Sequence, residues 1–198
     1  VRHPIGDENL FEVDDVVRAI AGLRAKQPSI QRVIVKLNDE VSGTGNAIVD
    51  LHALPPAGDP AEPTAIAGRL RSMRFAKPEI DSLWYVAQLR KGGGVVEELV
   101  EGDAFASPSA QLRVTPLGEV QVLSTHDQIL GGPHGQAYLG CRFPADPTYG
   151  PLIVREAAKI GARFAREGVV GRFAIDFVVV RAAGGAWQPF AIEVNLRK

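Results

Sequence analysis

The sequence predicts an α+β fold with two lobes, 1–98 and 99–198, each built on an antiparallel sheet. Two observations carry this prediction. Apolar residues recur at helical spacing in four segments of the chain. Short β-branched runs alternate with those segments, and turns rich in Gly join several of them in the way that is typical of hairpins.

The first lobe begins with a helix whose apolar positions start at Val16 and which ends before Pro28. A helix that follows Pro78 and stops at a run of three glycines closes it. The predicted elements, in order, are a helix capped by Asp14 or Asp15, strands at 33–37 and 47–51 joined by a turn at 39–46, a loop at 55–63, and helices at 64–75 and 79–90.

The second lobe contains a hairpin around Pro116-Leu117-Gly118 and two closing strands joined by Gly184-Gly185. Residues 126–151 lack periodicity and predict a long irregular loop, which in a compact domain is more often functional than idle. The predicted elements are a strand at 95–100 that crosses the boundary between the lobes, strands at 110–115 and 119–124, the loop, a helix from about 153 to Gly168, and strands at 173–180 and 189–196.

Composition excludes several functional classes. The chain has 45% hydrophobic and 23% charged residues, as ordinary globular domains do. A net charge of −1 argues against a nucleic-acid partner held by phosphate attraction. No apolar run reaches the roughly 18–20 residues of a membrane helix. The single cysteine, Cys141, excludes an intrachain disulfide, so we expect a cytoplasmic protein without a membrane partner.

The last two strands carry a candidate metal site. Asp176 is a lone carboxylate in an apolar strand, where a charge is costly unless it is paired or binds metal. Alternation places Glu193, Asn195 and Arg197 on one face of the next strand. Asp176, Glu193 and Asn195 offer the oxygen ligands that Mg²⁺ prefers, and Arg197 suits phosphate oxygens. The alternative is a solvated edge strand.

The first predicted hairpin is a candidate phosphate site. Lys36 interrupts an apolar strand, and Ser42, Gly43, Thr44 and Gly45 occupy the turn. Gly-rich turns allow backbone N–H groups to approach phosphates, and a strand lysine supplies a point charge. The turn is not a Walker loop, because no Gly-Lys-Ser/Thr follows it. By itself, such a hairpin is most often only a hairpin.

A third candidate is the strand that ends in Glu97-Glu98-Leu99-Val100 and enters a turn with Asp103. Such a strand end could hold adenine through its backbone and ribose hydroxyls through a carboxylate. The alternative is an acidic strand end without a ligand.

In this order, the three candidates resemble the ATP-grasp superfamily, whose ATP site ends in a Glu-x-Asn-x-Arg element like 193–197. The segments 107–113, 124–128 and 139–144 further resemble the pheganomycin-type peptide ligases of that superfamily. The resemblance covers nearly the whole chain. It implies an ATP-grasp fold in which two lobes clasp a nucleotide.

The resemblance also implies roles for these residues. Lys36 would contact the α- and β-phosphates, and the 42–46 turn would close over the triphosphate. The backbone of 97–100 would hold adenine, with Glu98 or Asp103 near the ribose. Asp176, Glu193 and Asn195 would bind Mg²⁺, Arg197 would contact the γ-phosphate, and Arg113 would stabilise an acyl phosphate.

The implied function is an ATP- and Mg²⁺-dependent ligase that joins a small-molecule carboxylate to an amine, such as an amino acid or peptide. Such ligases carry a further domain, so the resemblance implies a missing flanking domain of the same protein. The alternatives are a non-catalytic nucleotide-binding module, an inactive fragment, and a phosphotransferase that forms no amide.

The predicted long loop supplies the remaining candidates. We interpret His126, Asp127 and Arg142 as substrate-loop residues, because the spacing of His126 and His134 matches no zinc motif. Cys141 is interpreted as a small apolar residue.

Overall fold

The computed structural model describes residues 1–39, 43–131, 135 and 137–197. The chain divides into two compact units. One contains Ile5–Leu99 and the described part of 131–138. The other contains Val1–Pro4, Val100–Leu130 and the chain from Leu139 onward. Among the described residues, no helix is long and apolar enough to cross a membrane.

The first unit is a five-stranded sheet in which every pair is antiparallel, with strand order β1-β5-β2-β3-β4. Alternate residues of β2 and β3 point to a core covered by α1 and α2. Its elements are β1 (Gly6–Leu10), α1 (Val13–Lys26), β2 (Arg32–Leu37), β3 (Asn46–Asp50), α2 (Glu62–Leu70), β4 (Arg74–Phe75), α3 (Ser82–Gly92) and β5 (Gly94–Glu98).

The first helix begins one turn earlier than the predicted caps. Its N-cap is Glu12 rather than Asp14 or Asp15. Asp15 nevertheless stabilises this end, since its carboxylate accepts hydrogen bonds from the backbone N–H groups of Phe11 (3.0 Å) and Glu12 (2.9 Å). These bonds lower the pKa of Asp15 below its ordinary value.

The second unit is a six-stranded sheet with strand order β11-β10-β7-β8-β9, and β6 pairs with β10. One helix, α4, packs on one face of this sheet, over Leu112 and Phe173. The elements are β6 (Ala104–Ala106), β7 (Pro108–Val114), β8 (Val120–Gly131), β9 (Ala137–Arg142), α4 (Gly150–Arg166), β10 (Gly171–Arg181) and β11 (Gln188–Arg197).

Close packing of α4 on its sheet depends on a glycine. A Cβ on Gly161 would lie 2.6 Å from Cγ1 of Val120 and 3.3 Å from Cδ2 of Leu112. The helix backbone therefore approaches the sheet more closely than any larger residue would allow.

The α+β prediction is confirmed, but three local predictions are wrong. The expected loop at 126–151 is largely β8, β9 and the turn before α4. The helix expected over 64–75 ends at Leu70 and is followed by the short strand β4. Strands β1 and β6 were not expected, because each is short and exposed and lacks a clear apolar alternation.

Candidate functional site

The face of the second sheet opposite α4 carries the predicted metal ligands. Asp176 lies directly opposite Glu193, and Ala174 lies opposite Asn195. Opposite residues of antiparallel strands share a face, so the three candidates project from the same side. The Asn195 Nδ2 group donates a hydrogen bond of 3.1 Å to Oδ2 of Asp176.

The donor chemistry of this group fits a magnesium ion. Two carboxylates and one amide supply hard oxygen atoms, which Mg²⁺ prefers. Because the Asn195 amide nitrogen is engaged with Asp176, the amide oxygen is the atom left for a cation. Within the described residues no cluster of three His, Cys, Asp or Glu side chains forms, and the predicted set contains only two such residues.

Arg113 lies on the same face, farther along the sheet. Its Nε and Nη2 groups donate to Oε1 of Gln121, at 3.2 and 2.6 Å. This neutral partner orients the guanidinium without neutralising its charge. Arg197 belongs to β11 and is paired in register with Arg172, but its side chain lies outside the described part of the structure.

In the first sheet, Lys36 is paired with a predicted nucleotide residue. The Nζ of Lys36 lies 2.6 Å from Oε2 of Glu97, and both side chains are about one-fifth exposed, at 22% and 21%. They lie on adjacent strands, on the face turned away from α1, beside the buried residues Ile34 and Ile48.

The predicted phosphate turn is only partly described. Ser42 lies outside the described residues, whereas Gly43, with φ of 74°, Thr44 and Gly45 form a turn. The buried Tyr85 hydroxyl lies 2.9 Å from the carbonyl oxygens of both Val35 and Gly45. Burial raises the pKa of Tyr85, so the neutral phenol stays available to fix the base of the turn.

The two predicted ribose carboxylates are both engaged by protein groups. Glu98 faces α1, and its carboxylate accepts from Gln27 (3.1 Å) and from the backbone N–H of Ile5 (3.2 Å). Asp103 accepts from the backbone N–H of Ala183 at 2.7 Å. The role of either residue at a ribose stays a prediction, as does the adenine role of the backbone at Leu99 and Val100.

The predicted substrate-loop residues lie on or beside strands rather than in a loop. His126 and Asp127 are successive residues of β8 and therefore point to opposite faces. His126 is opposite Ser109, on the face of the metal candidates, and its ring centroid is 4.8 Å from that of Phe143. His134 lies outside the described residues.

Asp127 is a structural carboxylate, which sequence reasoning missed. Only 7% exposed, it accepts from the Tyr149 hydroxyl (2.9 Å), the backbone N–H of Asp146 (3.0 Å) and Arg142 (3.3 Å). Burial, together with the hydrogen bond to Asp127, raises the pKa of Tyr149. Arg142 is thus tied to the segment that leads into α4.

Comparison with known proteins gives the family. A family model described as IQCH-like, ATP-grasp matches residues 81–197. The L-propargylglycine–L-glutamate ligase of Streptantibioticus cattleyicolor is 33% identical over 93% of this chain, which covers 35% of that ligase. The IQ motif-containing protein H of Danio rerio is 24% identical over 98% of this chain and 21% of its own length.

Solved structures agree on the fold. The biotin carboxylase domain of the Hydrogenobacter thermophilus 2-oxoglutarate carboxylase, solved with MgADP, ADP and bicarbonate, superposes with a TM-score of 0.66. The superposition covers 100% of this chain and 37% of the carboxylase chain, and the two sequences are 14% identical. The chain spans about a third of the length of its curated ligase relative, at 35%. The family-model match, over more than half of the residues, shows that the chain belongs to the IQCH-like ATP-grasp family.

Proposed function

We propose that this protein is an ATP- and Mg²⁺-dependent ligase that forms an amide from a carboxylate and an amine. The observation that carries the proposal is the grouping of Asp176, Glu193 and Asn195 on one sheet face, with the 3.1 Å bond between the first and the last. A solvated edge strand has no need to orient an amide against a carboxylate of the neighbouring strand.

Each nucleotide group has a proposed partner. Asp176, Glu193 and Asn195 would hold Mg²⁺, which when bound would neutralise charge on the phosphate oxygens. Lys36 would contact the α- and β-phosphates once Glu97 releases it, and the 43–45 turn would approach the triphosphate. The backbone of 97–100 would hold adenine, and Arg197 would contact the γ-phosphate.

The proposed chemistry has two balanced steps. A substrate carboxylate oxygen attacks the γ-phosphorus of ATP, which gives an acyl phosphate and ADP. A neutral amine then attacks the acyl carbon, phosphate leaves, and the amine proton is lost to water. Arg113 would stabilise charge on the acyl phosphate and on the tetrahedral intermediate, since such charge stabilisation is usually the largest catalytic contribution.

Amino acids are the proposed substrate class. The curated ligase relative is named for L-propargylglycine and L-glutamate, and it is 33% identical to this chain. We infer that this chain likewise takes an amino acid as the acid, the amine or both.

Two measurements test the proposal. Calorimetric titration of the chain with ADP, with and without Mg²⁺, should show Mg²⁺-dependent binding that Asp176→Ala weakens by at least about tenfold, since losing one charged ligand costs roughly 1.5–3 kcal/mol. Glu119→Ala, which removes an exposed carboxylate in the β7–β8 turn, is the matched control. Equal binding by wild type and Asp176→Ala would refute the site.

The second measurement is phosphate release from ATP in the presence of amino-acid pairs. Release that needs both partners, with a new amide detected by mass spectrometry, supports the ligase. MgADP binding without release under any pair favours the nucleotide-binding module, and a stable phosphorylated product favours the phosphotransferase.

A further inference from the structure

Arginines occupy one row across the second sheet. Arg172 of β10 lies directly opposite Arg113 of β7, and on its other side it is paired with Arg197 of β11. Directly opposite residues of antiparallel strands share a face, with Cβ atoms about 4.5–5.5 Å apart. The exposed side chains of Arg113 and Arg172 therefore project side by side from the face opposite α4.

Among the described side chains, none of opposite charge pairs with Arg113 or Arg172. Within the described part of the chain, the partner of the Arg113 guanidinium is the neutral amide of Gln121. No described residue forms an ion pair or hydrogen bond with the guanidinium of Arg172. Like charges directly opposite each other destabilise a sheet, so the arrangement favours an anionic ligand that offsets the repulsion.

Arg172 lies apart from Asp176 and Glu193, two of the metal candidates. Arg172 and Asp176 are on the same face of β10, four residues apart, which corresponds to about 13 Å along the strand. Arg197, which is proposed to contact the γ-phosphate, lies on the β11 side of Arg172, whereas an anion between Arg113 and Arg172 would lie on its β7 side. Two planar guanidinium groups match the geometry of a carboxylate.

We propose that Arg172, together with Arg113, binds a carboxylate of an amino-acid substrate that takes no part in amide formation. This inference rests on the proposed ligase function. An amino acid that acts as the amine keeps its own carboxylate, and binding of that group would fix the position of the nucleophile. The site then makes a free carboxylate a requirement, because esters would leave the charged donors unpaired.

The test is titration of the chain with L-glutamate and with its dimethyl ester, with binding detected through changes in NMR chemical shifts. Arg172→Gln should weaken L-glutamate binding about 10- to 100-fold, the loss expected for one charged hydrogen-bonding partner. Arg166→Gln, which removes an exposed arginine near the end of α4, is the matched control and should bind as wild type does. The dimethyl ester should bind weakly to all three proteins.

Thermal melting separates ligand binding from a structural role. Because Arg172→Gln removes a like-charge contact, its melting temperature should equal or exceed that of wild type, whereas loss of a structural residue would lower it. MgADP affinity, measured on the same samples, should be the same in Arg172→Gln and wild type.

Three results would overturn the inference: no L-glutamate binding by wild type, equal binding by Arg172→Gln, or an equal loss of MgADP affinity, which would make the row a phosphate site. If the wild-type chain does not bind MgADP, the proposed function is refuted instead. The L-glutamate titration then still tests the role of the arginines.

Discussion

The two sheets share a plan but treat charge differently. Each is antiparallel, with one face covered by at least one helix and polar residues on the other face. In the first sheet the polar face pairs Lys36 with Glu97 at 2.6 Å, beside buried isoleucines. In the second, the acidic group at Asp176 and the basic row at Arg172 lie about 13 Å apart along β10. On the first face these two charges neutralise each other, whereas on the second face charges of opposite sign are separated.

The comparison predicts that stability of the second unit comes from its helix-covered face. Phe173 is 1% exposed there, and Phe173→Ala should lower the free energy of unfolding by about 3–5 kcal/mol through lost burial and a cavity. Phe105→Ala, which truncates a phenylalanine 53% exposed, should cost about 1 kcal/mol or less. Urea unfolding monitored by circular dichroism measures both, and similar losses would contradict the division of roles.

The Lys36–Glu97 ion pair of the first sheet can be tested with a double-mutant cycle. Lys36→Met leaves the part-buried Glu97 without its partner, so the free energy of unfolding should fall by about 1–3 kcal/mol. The same variant should bind MgADP at least about tenfold more weakly than wild type. Adding Glu97→Gln should restore much of the stability but not the affinity. If the double variant regains nucleotide binding, Lys36 does not contact phosphate.

Two helix glycines sharpen the contrast between the units. Gly161 of α4 is packed on the sheet, whereas a Cβ on Gly22 of α1 would meet nothing within 4 Å. Gly22→Ala should stabilise the chain by about 0.5–1 kcal/mol through helix propensity. Gly161→Ala should destabilise it by about 1–3 kcal/mol through overpacking. The same helix-propensity gain would offset part of this loss. Melting temperatures that rise for both would show that α4 can move away from Val120.

The smallest expected effect concerns the start of α1. The backbone hydrogen bonds from Phe11 and Glu12 lower the pKa of Asp15 below 3.8, so the ionised carboxylate stabilises the folded state. This contribution is fully present above the ordinary pKa and is lost as pH falls through the folded-state pKa. Asp15→Ala should therefore be less stable than wild type near pH 7, with the difference shrinking below about pH 4.

Asp14→Ala is the matched control for that measurement, since it removes an exposed carboxylate from the same turn. Denaturant midpoints across pH 3–7 give the comparison. A pH-independent gap for Asp15→Ala would rule out the carboxylate as its cause.

Sequence periodicity was sufficient where a segment has one buried and one exposed face. The β2–β3 hairpin, α4 and the β10–β11 pair were all predicted, and the face shared by Asp176, Glu193 and Asn195 followed from strand alternation. The family resemblance, confirmed by the family model, came from the order of these short segments along the chain.

Prediction failed where a polar residue is buried against tertiary partners. Asp127 points to the helix-covered side of β8, where Tyr149 and a backbone N–H satisfy it, so the strand lacks the apolar alternation that would reveal it. The partner of Lys36 lies 61 residues away in sequence, a distance that no local pattern encodes. The partners of Glu98, Gln27 and the backbone of Ile5, are likewise distant in sequence.

Glu97 and Glu98, which are adjacent in β5, make the pairing register of that strand sensitive to a shift of a single residue. Glu97 faces Lys36, and Glu98 faces Gln27 and the backbone of Ile5. A shift of β5 by one residue would exchange the two faces, so Lys36 would lose its partner and a carboxylate would be driven elsewhere. Single-residue insertions or deletions inside β5 should therefore abolish folding and nucleotide binding together, whereas engineered length changes belong in exposed turns such as Pro116-Leu117-Gly118.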